Sequence, residues 1–212
     1  MDTQTATDAT LAPTIDALHQ AWQEAEKVAA ENGITLPPVI ITVQRSKRSW
    51  GHISTVPTWQ ADGDGRLEVM VSGENLARGA RDVFGTVLHE AAHGANIARG
   101  IKDCDQNQRH NKRFKQAAEM FGLTVEQMGR YGYAKTTVTD ATAERHAAII
   151  ATLDAAIKAA AITGPIGTKV PTRDKNNPSA QCGCGKKVRA SREVLASGIT
   201  CNACGTEFEV RS

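Results

Sequence analysis

The HExxH pattern formed by His89, Glu90 and His93 constrains this chain most, because it lies inside the segment with the clearest helical periodicity. Apolar residues recur at three- and four-residue spacing from about Arg78 to Arg99, which predicts an amphipathic helix. On a helix, residues four apart lie about 6 Å apart along the axis and on nearly the same face. The pattern therefore predicts two imidazoles that reach one metal ion, with Glu90 beside them.

Such a site has the chemistry of hydrolysis. Zinc lowers the pKa of a water ligand to about 7 and polarises a carbonyl group. Glu90 would act as general base and take the proton as the water attacks. This arrangement favours a zinc-dependent metallopeptidase, against the alternative of an ordinary surface helix that matches the pattern by chance.

A catalytic zinc usually has three protein ligands, and His110 is the best candidate for the third. It follows His93 across a polar loop from Gly100 to Gln108, which lets the chain turn back. The competing ligands are acidic or thiol side chains of that loop, which would be less rigid donors: Asp103, Cys104 and Asp105.

The other histidines are weaker candidates. His52 lies in a predicted strand and is a further group that could approach the site. His19 and His146 lie on predicted helices, where we expect solvated side chains.

Four of the five cysteines form two close pairs near the C-terminus. In a chain without a recognisable secretion signal, such pairs indicate metal ligands before disulfides. We expect a tetrahedral structural zinc site, and a module of roughly 30 residues needs one because its core is small. The ligands would be Cys182, Cys184, Cys201 and Cys204.

The remaining pattern predicts an α+β fold. A helix from Thr14 precedes three short strands, a hairpin turn at 61–65 and the HExxH helix. Two further helices are expected, from about Asn111 to Phe121 and from about Asp140 to Ile162. The predicted strands are Val39–Val43, Trp50–Ser54 and Leu67–Val71. The expected organisation is a disordered segment at 1–12, a metallopeptidase-like domain at 13–162, a linker at 163–180 and a four-cysteine zinc ribbon at 181–212.

Composition limits the partners. No apolar run approaches the roughly 20 residues of a membrane span, so we expect no membrane association, and the absence of a secretion signal favours the cytoplasm. Basic residues exceed acidic ones between Arg99 and Lys135 and beside the first cysteine pair. These segments make DNA a second candidate partner, with a solvated face as the alternative.

In its metal-site motifs and their order along the sequence, the chain resembles the SprT-like family, which includes the Spartan proteases. The likeness covers about residues 14–206 and includes the Trp50-Gly51-His52 segment, the HExxH helix, the His110 segment and the cysteine ribbon. Where the family typically has glycine after the third histidine, this chain has Asn111, while Phe114 is kept. The resemblance implies a zincin-like fold, three histidine ligands, a glutamate base and, in some members, proteolysis of DNA-bound proteins.

The expected function is therefore hydrolysis of a protein or peptide substrate with one catalytic and one structural zinc ion. The alternative is a DNA- or protein-binding adapter with a vestigial site, and a third possibility is a hydrolase acting on a non-peptide bond. Glu90 favours an enzyme, because a structural metal site needs no base.

Overall fold

The computed structural model describes residues 11–46, 49–61, 63–160 and 177–210, and within them the secondary structure is mixed α and β, as expected. The chain divides into two compact units, Met1–Ile166 and Gly167–Ser212. Most of the expected disordered N-terminus and most of the expected linker lie outside the described residues, and Ala12, the last residue of the expected disordered segment, begins a helix. None of the helices in the described ranges is long and apolar enough to cross a membrane.

Helix α1, Ala12–Glu31, has a proline in its first turn, where the missing N–H would be unpaired in any case. It ends shortly before Gly33, as the sequence predicts. Its small and apolar residues recur on one buried face: Ala17, Leu18, Ala21, Trp22, Ala25 and Val28.

A sheet of four strands follows, one more than predicted: β1 Val39–Gln44, β2 Gly51–Ile53, β3 Trp59–Ala61 and β4 Asp64–Ser72. Strand β4 pairs in parallel with β1 and antiparallel with β2 and β3. Pairing of Ala61 with Asp64 confirms the hairpin turn at 61–65. The sequence does not indicate β3, because three residues with an exposed Trp59 show no alternating pattern.

Helices α2, Gly73–Leu76, and α3, Ala80–Ala98, follow the sheet, and α3 is the predicted HExxH helix. It packs against α1, β2 and β4, so the HExxH residues lie beside strand β2. The apolar residues expected to share its faces are all buried: Val83, Phe84, Val87, Leu88, Ala91 and Ala92.

Helix α4, Lys112–Met120, is also in its predicted place. It leads into an antiparallel pair, β5 Leu123–Glu126 and β6 Lys135–Val138, which the sequence does not indicate because each strand has only four residues. A short 3-10 turn, Gly129–Tyr131, lies in the connection between them.

The predicted alanine-rich helix is two helices, α5 Asp140–Arg145 and α6 Ala147–Ala159, so the prediction of one continuous helix is wrong. His146 separates them. Its ring is buried rather than solvated, with Nδ1 3.2 Å from a Glu24 carboxylate oxygen and the ring centroid 5.2 Å from that of Phe84. Contacts with these two residues, distant in sequence, keep the side chain from solvent and correct the second expectation.

The second unit contains strands β7 Ser179–Gln181, β8 Lys187–Arg189 and β9 Glu209–Val210, in the order β8-β7-β9, and helix α7, Arg192–Ala196. Among its described residues only Ala180, Cys182 and Cys201 are buried. Apolar burial of this size is too small to stabilise a fold, so the unit needs another source of stability.

Candidate metal centres

Three histidine side chains meet where helix α3 passes the start of α4. Helix α3 supplies His89 and His93, and His110 lies two residues before α4 begins. One ring nitrogen from each lies within 4.8 Å of the others. The Nε2 atoms of His93 and His110 are 3.1 Å apart, close to the roughly 3.3 Å between two nitrogen ligands of a tetrahedral zinc ion. The structure therefore brings the three predicted ligands together.

The Nδ1 atom of each ring is held by a polar partner. His89 Nδ1 lies 3.0 Å from the Thr136 hydroxyl. His93 Nδ1 lies 2.8 Å from an Asp103 carboxylate oxygen. His110 Nδ1 lies 3.3 Å from the backbone carbonyl oxygen of Tyr131. Such partners fix the orientation of a ring and leave Nε2 for a ligand.

The Nε2 atoms of His93 and His110 are spaced so that a cation would fit between them. A carboxylate and a carbonyl oxygen only accept hydrogen bonds, so each neutral ring carries its proton on Nδ1 and a lone pair on Nε2. Two lone pairs 3.1 Å apart repel each other unless one ring gains a proton or a cation lies between them. Burial, together with the neighbouring His93, lowers the pKa of His110 to about 4, which opposes the extra proton on that ring.

Burial also lowers the pKa of His89 well below its ordinary value, and His93 and His110 lower it further. His89 and His110 are therefore neutral at neutral pH. Neutral imidazole is the form that binds transition metals. The donor set and its electrostatics thus fit a metal ion.

Backbone contacts to the β5–β6 connection place His110. Its N–H donates to the carbonyl of Tyr131 over 2.9 Å, and its carbonyl accepts from the N–H of Tyr133 over 3.1 Å. Gly132 lies between these two residues with φ of +66°, and a Cβ there would lie 2.2 Å from the His110 carbonyl oxygen. Only glycine fits this position without displacing His110.

Phe114 packs against the whole histidine group from helix α4. Its ring centroid lies 4.6 Å from that of His89, 4.4 Å from that of His93 and 4.5 Å from that of His110. The ring is fully buried. It restricts the three imidazoles to one arrangement and excludes water from their apolar side.

Glu90 lies on α3, and its side chain is buried against strand β2. Its Oε1 lies 3.2 Å from the point that a Cβ on Gly51 would occupy, so the missing side chain leaves room for the carboxyl group. Burial raises the pKa of Glu90 to about 7, although the neighbouring His93 and a backbone hydrogen bond from Ile53 act in the opposite direction. A carboxyl group with this pKa can take up and release a proton near neutral pH.

Two of the competing ligands are close to the site. Asp103, Cys104 and His93 form a second group whose ligand atoms lie within 4.8 Å of one another. The carboxylate of Asp103, however, already accepts hydrogen bonds from His93 and from Asn96, the latter over 3.0 Å. Burial and the neighbouring carboxylates raise the pKa of Cys104 to about 12, which keeps its thiol protonated. His110 therefore remains the best third ligand.

The other candidates lie elsewhere. The carboxylate of Asp105 accepts hydrogen bonds from backbone N–H groups of its own loop. His52 is exposed on β2 and His19 is half-buried on α1. Neither histidine belongs to a ligand group among the described residues.

The four predicted cysteine ligands form the other group. Their sulfur atoms lie within 4.8 Å of one another, with Sγ of Cys184 3.3 Å from Cys182 and 3.8 Å from Cys201. Four sulfur ligands of zinc lie about 3.8 Å apart. Hydrogen bonds from Thr206 lower the pKa of Cys204 to about 6, which favours a thiolate. These four free thiols fit a metal ion that would stabilise the small unit.

Sequence reasoning missed the residues that position the ligands. Thr136 lies in a strand that the sequence does not indicate, and Tyr131 contributes a carbonyl, which every residue has. The role of Gly51 could have been suspected, because glycine within a strand often marks a close approach of another group.

Comparison with family models, curated proteins and solved structures finds no match to this chain. The interpretation of its function therefore depends on the geometry of the two ligand groups.

Proposed function

We propose that this protein is a zinc-dependent metallopeptidase of the SprT-like type, with a zincin-like domain at 13–162 and a zinc ribbon at 181–212. The observation that carries the proposal is the convergence of three imidazoles, each held at Nδ1, on one point beside a buried glutamate. His89, His93 and His110 would hold the catalytic ion, and the four cysteines would hold the structural one.

When bound, zinc supplies a Lewis acid that polarises the scissile carbonyl and makes water a stronger nucleophile at neutral pH. The residues of the chain move the protons. Glu90, with a pKa of about 7, accepts a proton from the attacking water and can return it to the departing nitrogen. The Nδ1 partners and Phe114 keep the imidazoles in place during this transfer.

Strand β2 favours a polypeptide substrate over a non-peptide one. It pairs with β4 on one side, and no strand of the described ranges pairs with its other side. An extended peptide can add to such an edge through main-chain hydrogen bonds. Because Glu90 contacts β2 at Gly51 and Ile53, a peptide on this edge would pass close to the base.

The adapter alternative does not account for Glu90. A buried carboxyl group destabilises a fold unless it is compensated, and a structural or vestigial metal site does not require one. A base for hydrolysis does require it.

The decisive experiment compares wild type with Glu90→Gln at matched zinc content. An unfolded protein is offered with and without single-stranded and duplex DNA, and cleavage is followed on gels. The amide is nearly isosteric but cannot take the proton, so activity should fall at least about 100-fold.

The control is Glu26→Gln, which changes an exposed glutamate of α1 and should leave cleavage intact. Equal cleavage by wild type and Glu90→Gln would reject Glu90 as the base. Absence of cleavage by every variant would favour the adapter.

A further inference from the structure

A cavity of about 450 Å³ opens beside His110, and four cationic side chains border it: Lys102, Arg109, Lys112 and Arg113. The backbone of Gly132 and the side chain of Tyr133 form part of its wall. Asp105 is the one acidic residue among the described residues that border the cavity. The cavity therefore has a clear excess of positive charge.

The Asp105 carboxylate interacts electrostatically with Arg109 and Lys102, so these two cations are partly neutralised within the described ranges. None of the four cationic side chains has a carboxylate oxygen within 4.0 Å in that part of the chain. Asp105 Oδ1 accepts the backbone N–H groups of Asn107 and Arg109, over 2.8 and 3.0 Å, so it is engaged in shaping its loop. A concavity lined by an excess of cations attracts an anionic group.

The start of helix α4 adds to this potential. The first turn of a helix favours acidic residues, because the N-terminal end of its dipole is positive. Helix α4 has no acidic residue there and instead begins with Lys112 and Arg113. The side chain of Asn111 accepts hydrogen bonds from the N–H groups of Arg113 and Phe114. This arrangement works against the helix, and such local conflicts are expected at functional sites.

We propose that the cavity is a subsite for a carboxylate side chain of the substrate, so that this chain selects polypeptides with Asp or Glu near the scissile bond. The inference rests on the proposed function, because it requires a polypeptide that passes His110. Two exposed cations beside one carboxylate should give roughly fivefold tighter binding than to the uncharged amide.

The geometry favours a single carboxylate over a polynucleotide. Nucleic-acid surfaces distribute cations along a groove and add aromatic rings on which bases stack. Here the cations border one cavity, and its described wall has two aromatic rings, those of His110 and Tyr133, of which His110 belongs to the histidine group. Lys115 Nζ lies 5.6 Å from the centroid of the Tyr133 ring, so that ring is already engaged by a cation.

The test measures binding to the full-length, zinc-loaded Glu90→Gln protein, which holds a peptide without consuming it. Two fluorescent peptides of equal length are compared by anisotropy at low salt, one with two central glutamates and the other with glutamines. The acidic peptide should bind about fivefold more tightly. The difference in affinity between the two peptides should disappear when Lys112→Gln and Arg113→Gln are added to this protein. It should also shrink at high salt.

The matched control removes the same charge elsewhere, by Lys158→Gln with Lys187→Gln, both at exposed positions. It should keep the preference for the acidic peptide. Circular dichroism and zinc content establish that each variant is folded and loaded.

Equal binding of the two peptides, or a preference that persists without Lys112 and Arg113, would overturn the subsite. If wild type still cleaves an unfolded protein in that case, the metallopeptidase proposal stands alone. A preference that depends on these two residues in a protein that cleaves nothing would show that the cavity binds a carboxylate, but it would reject the peptidase and overturn the assignment of the cavity as a substrate subsite. Tighter binding of a single-stranded oligonucleotide, abolished by the same substitutions, would assign the cavity to nucleic acid and overturn the proposal.

Discussion

The Asp103 carboxylate orients the His93 ring: one carboxylate oxygen lies 2.8 Å from His93 Nδ1 and accepts a further hydrogen bond from the Asn96 side chain. Burial raises the pKa of Asp103, but hydrogen bonds from His93 and Asn96 outweigh it and leave the pKa below its ordinary value. The carboxylate is therefore ionised at neutral pH. It fixes the proton of His93 on Nδ1 and makes the ring a better donor through Nε2.

Asp103→Asn should weaken zinc binding at the histidine group by about 10- to 100-fold, the usual effect of removing a carboxylate that orients a histidine ligand. Competition with a chromogenic chelator measures the affinity. Asp105→Asn is the control from the same loop, because its amide oxygen can still accept both backbone N–H groups. Equal affinities for the two variants would show that Asp103 has no role in orienting His93.

His110→Ala should weaken zinc retention at the histidine group more than Asp103→Asn does, because it removes a ligand. Cys104→Ala should have a smaller effect, since the thiol of Cys104 stays protonated. Zinc remaining after dialysis against a weak chelator decides between them. The opposite ranking would make Cys104 the third ligand.

Replacing Cys201 and Cys204 together by serine should remove one of two zinc ions and unfold the second unit, whose buried residues are so few. Elemental analysis gives the zinc content. Amide hydrogen exchange should show lost protection confined to the second unit. A zinc content that stays unchanged would remove the cysteine group from consideration as a metal site.

In the metal-free protein, Glu90 should make stability fall as pH rises. Its pKa in the folded protein is about 7, above its ordinary 4.5, so the folded state keeps a proton that the unfolded chain releases. That stabilisation is fully present below pH 4.5 and is lost as pH rises through 7. The shift corresponds to about 3 kcal/mol in the free energy of unfolding.

Glu90→Gln does not titrate, so it should gain stability relative to wild type, by up to about 3 kcal/mol, between about pH 5 and about pH 8. Urea unfolding in the presence of a chelator measures this difference. His89 and His110, whose lowered pKa values give the opposite trend, are present in both proteins, so the comparison isolates Glu90. A difference that is equal at both pH values would contradict the prediction.

Local patterns made the candidate ligands predictable. The spacing of His89 and His93 matches one turn of a helix, and the paired cysteines have the spacing of a metal site. The groups that orient the ligands left no such pattern. Thr136 reaches His89 through a strand too short to show periodicity. Asp103 is recognisable in sequence as a carboxylate, but only its distance from His93 shows that it orients a ligand.

The lack of a sequence pattern for tertiary contacts also explains why the prediction of a solvated His146 was wrong. His146 lies next to Arg145 in a segment that was predicted to be one exposed helix, yet it separates two helices and its ring is covered by Glu24 and Phe84. Both partners are distant in sequence, and a single chain gives no signal of such a contact. Burial of a polar side chain by tertiary packing is thus the property that sequence patterns predict least well.

The backbone hydrogen bonds that join His110 to Tyr131 and Tyr133 also imply an order of events during synthesis. A ribosome releases the HExxH helix first, then His110, and only later the Gly132 turn that fixes its position. Until that turn has emerged, the nascent chain carries two of the candidate ligands on one helix and the third on an untethered loop. Metal uptake in the cell should therefore wait until the β5–β6 connection has left the ribosome and folded.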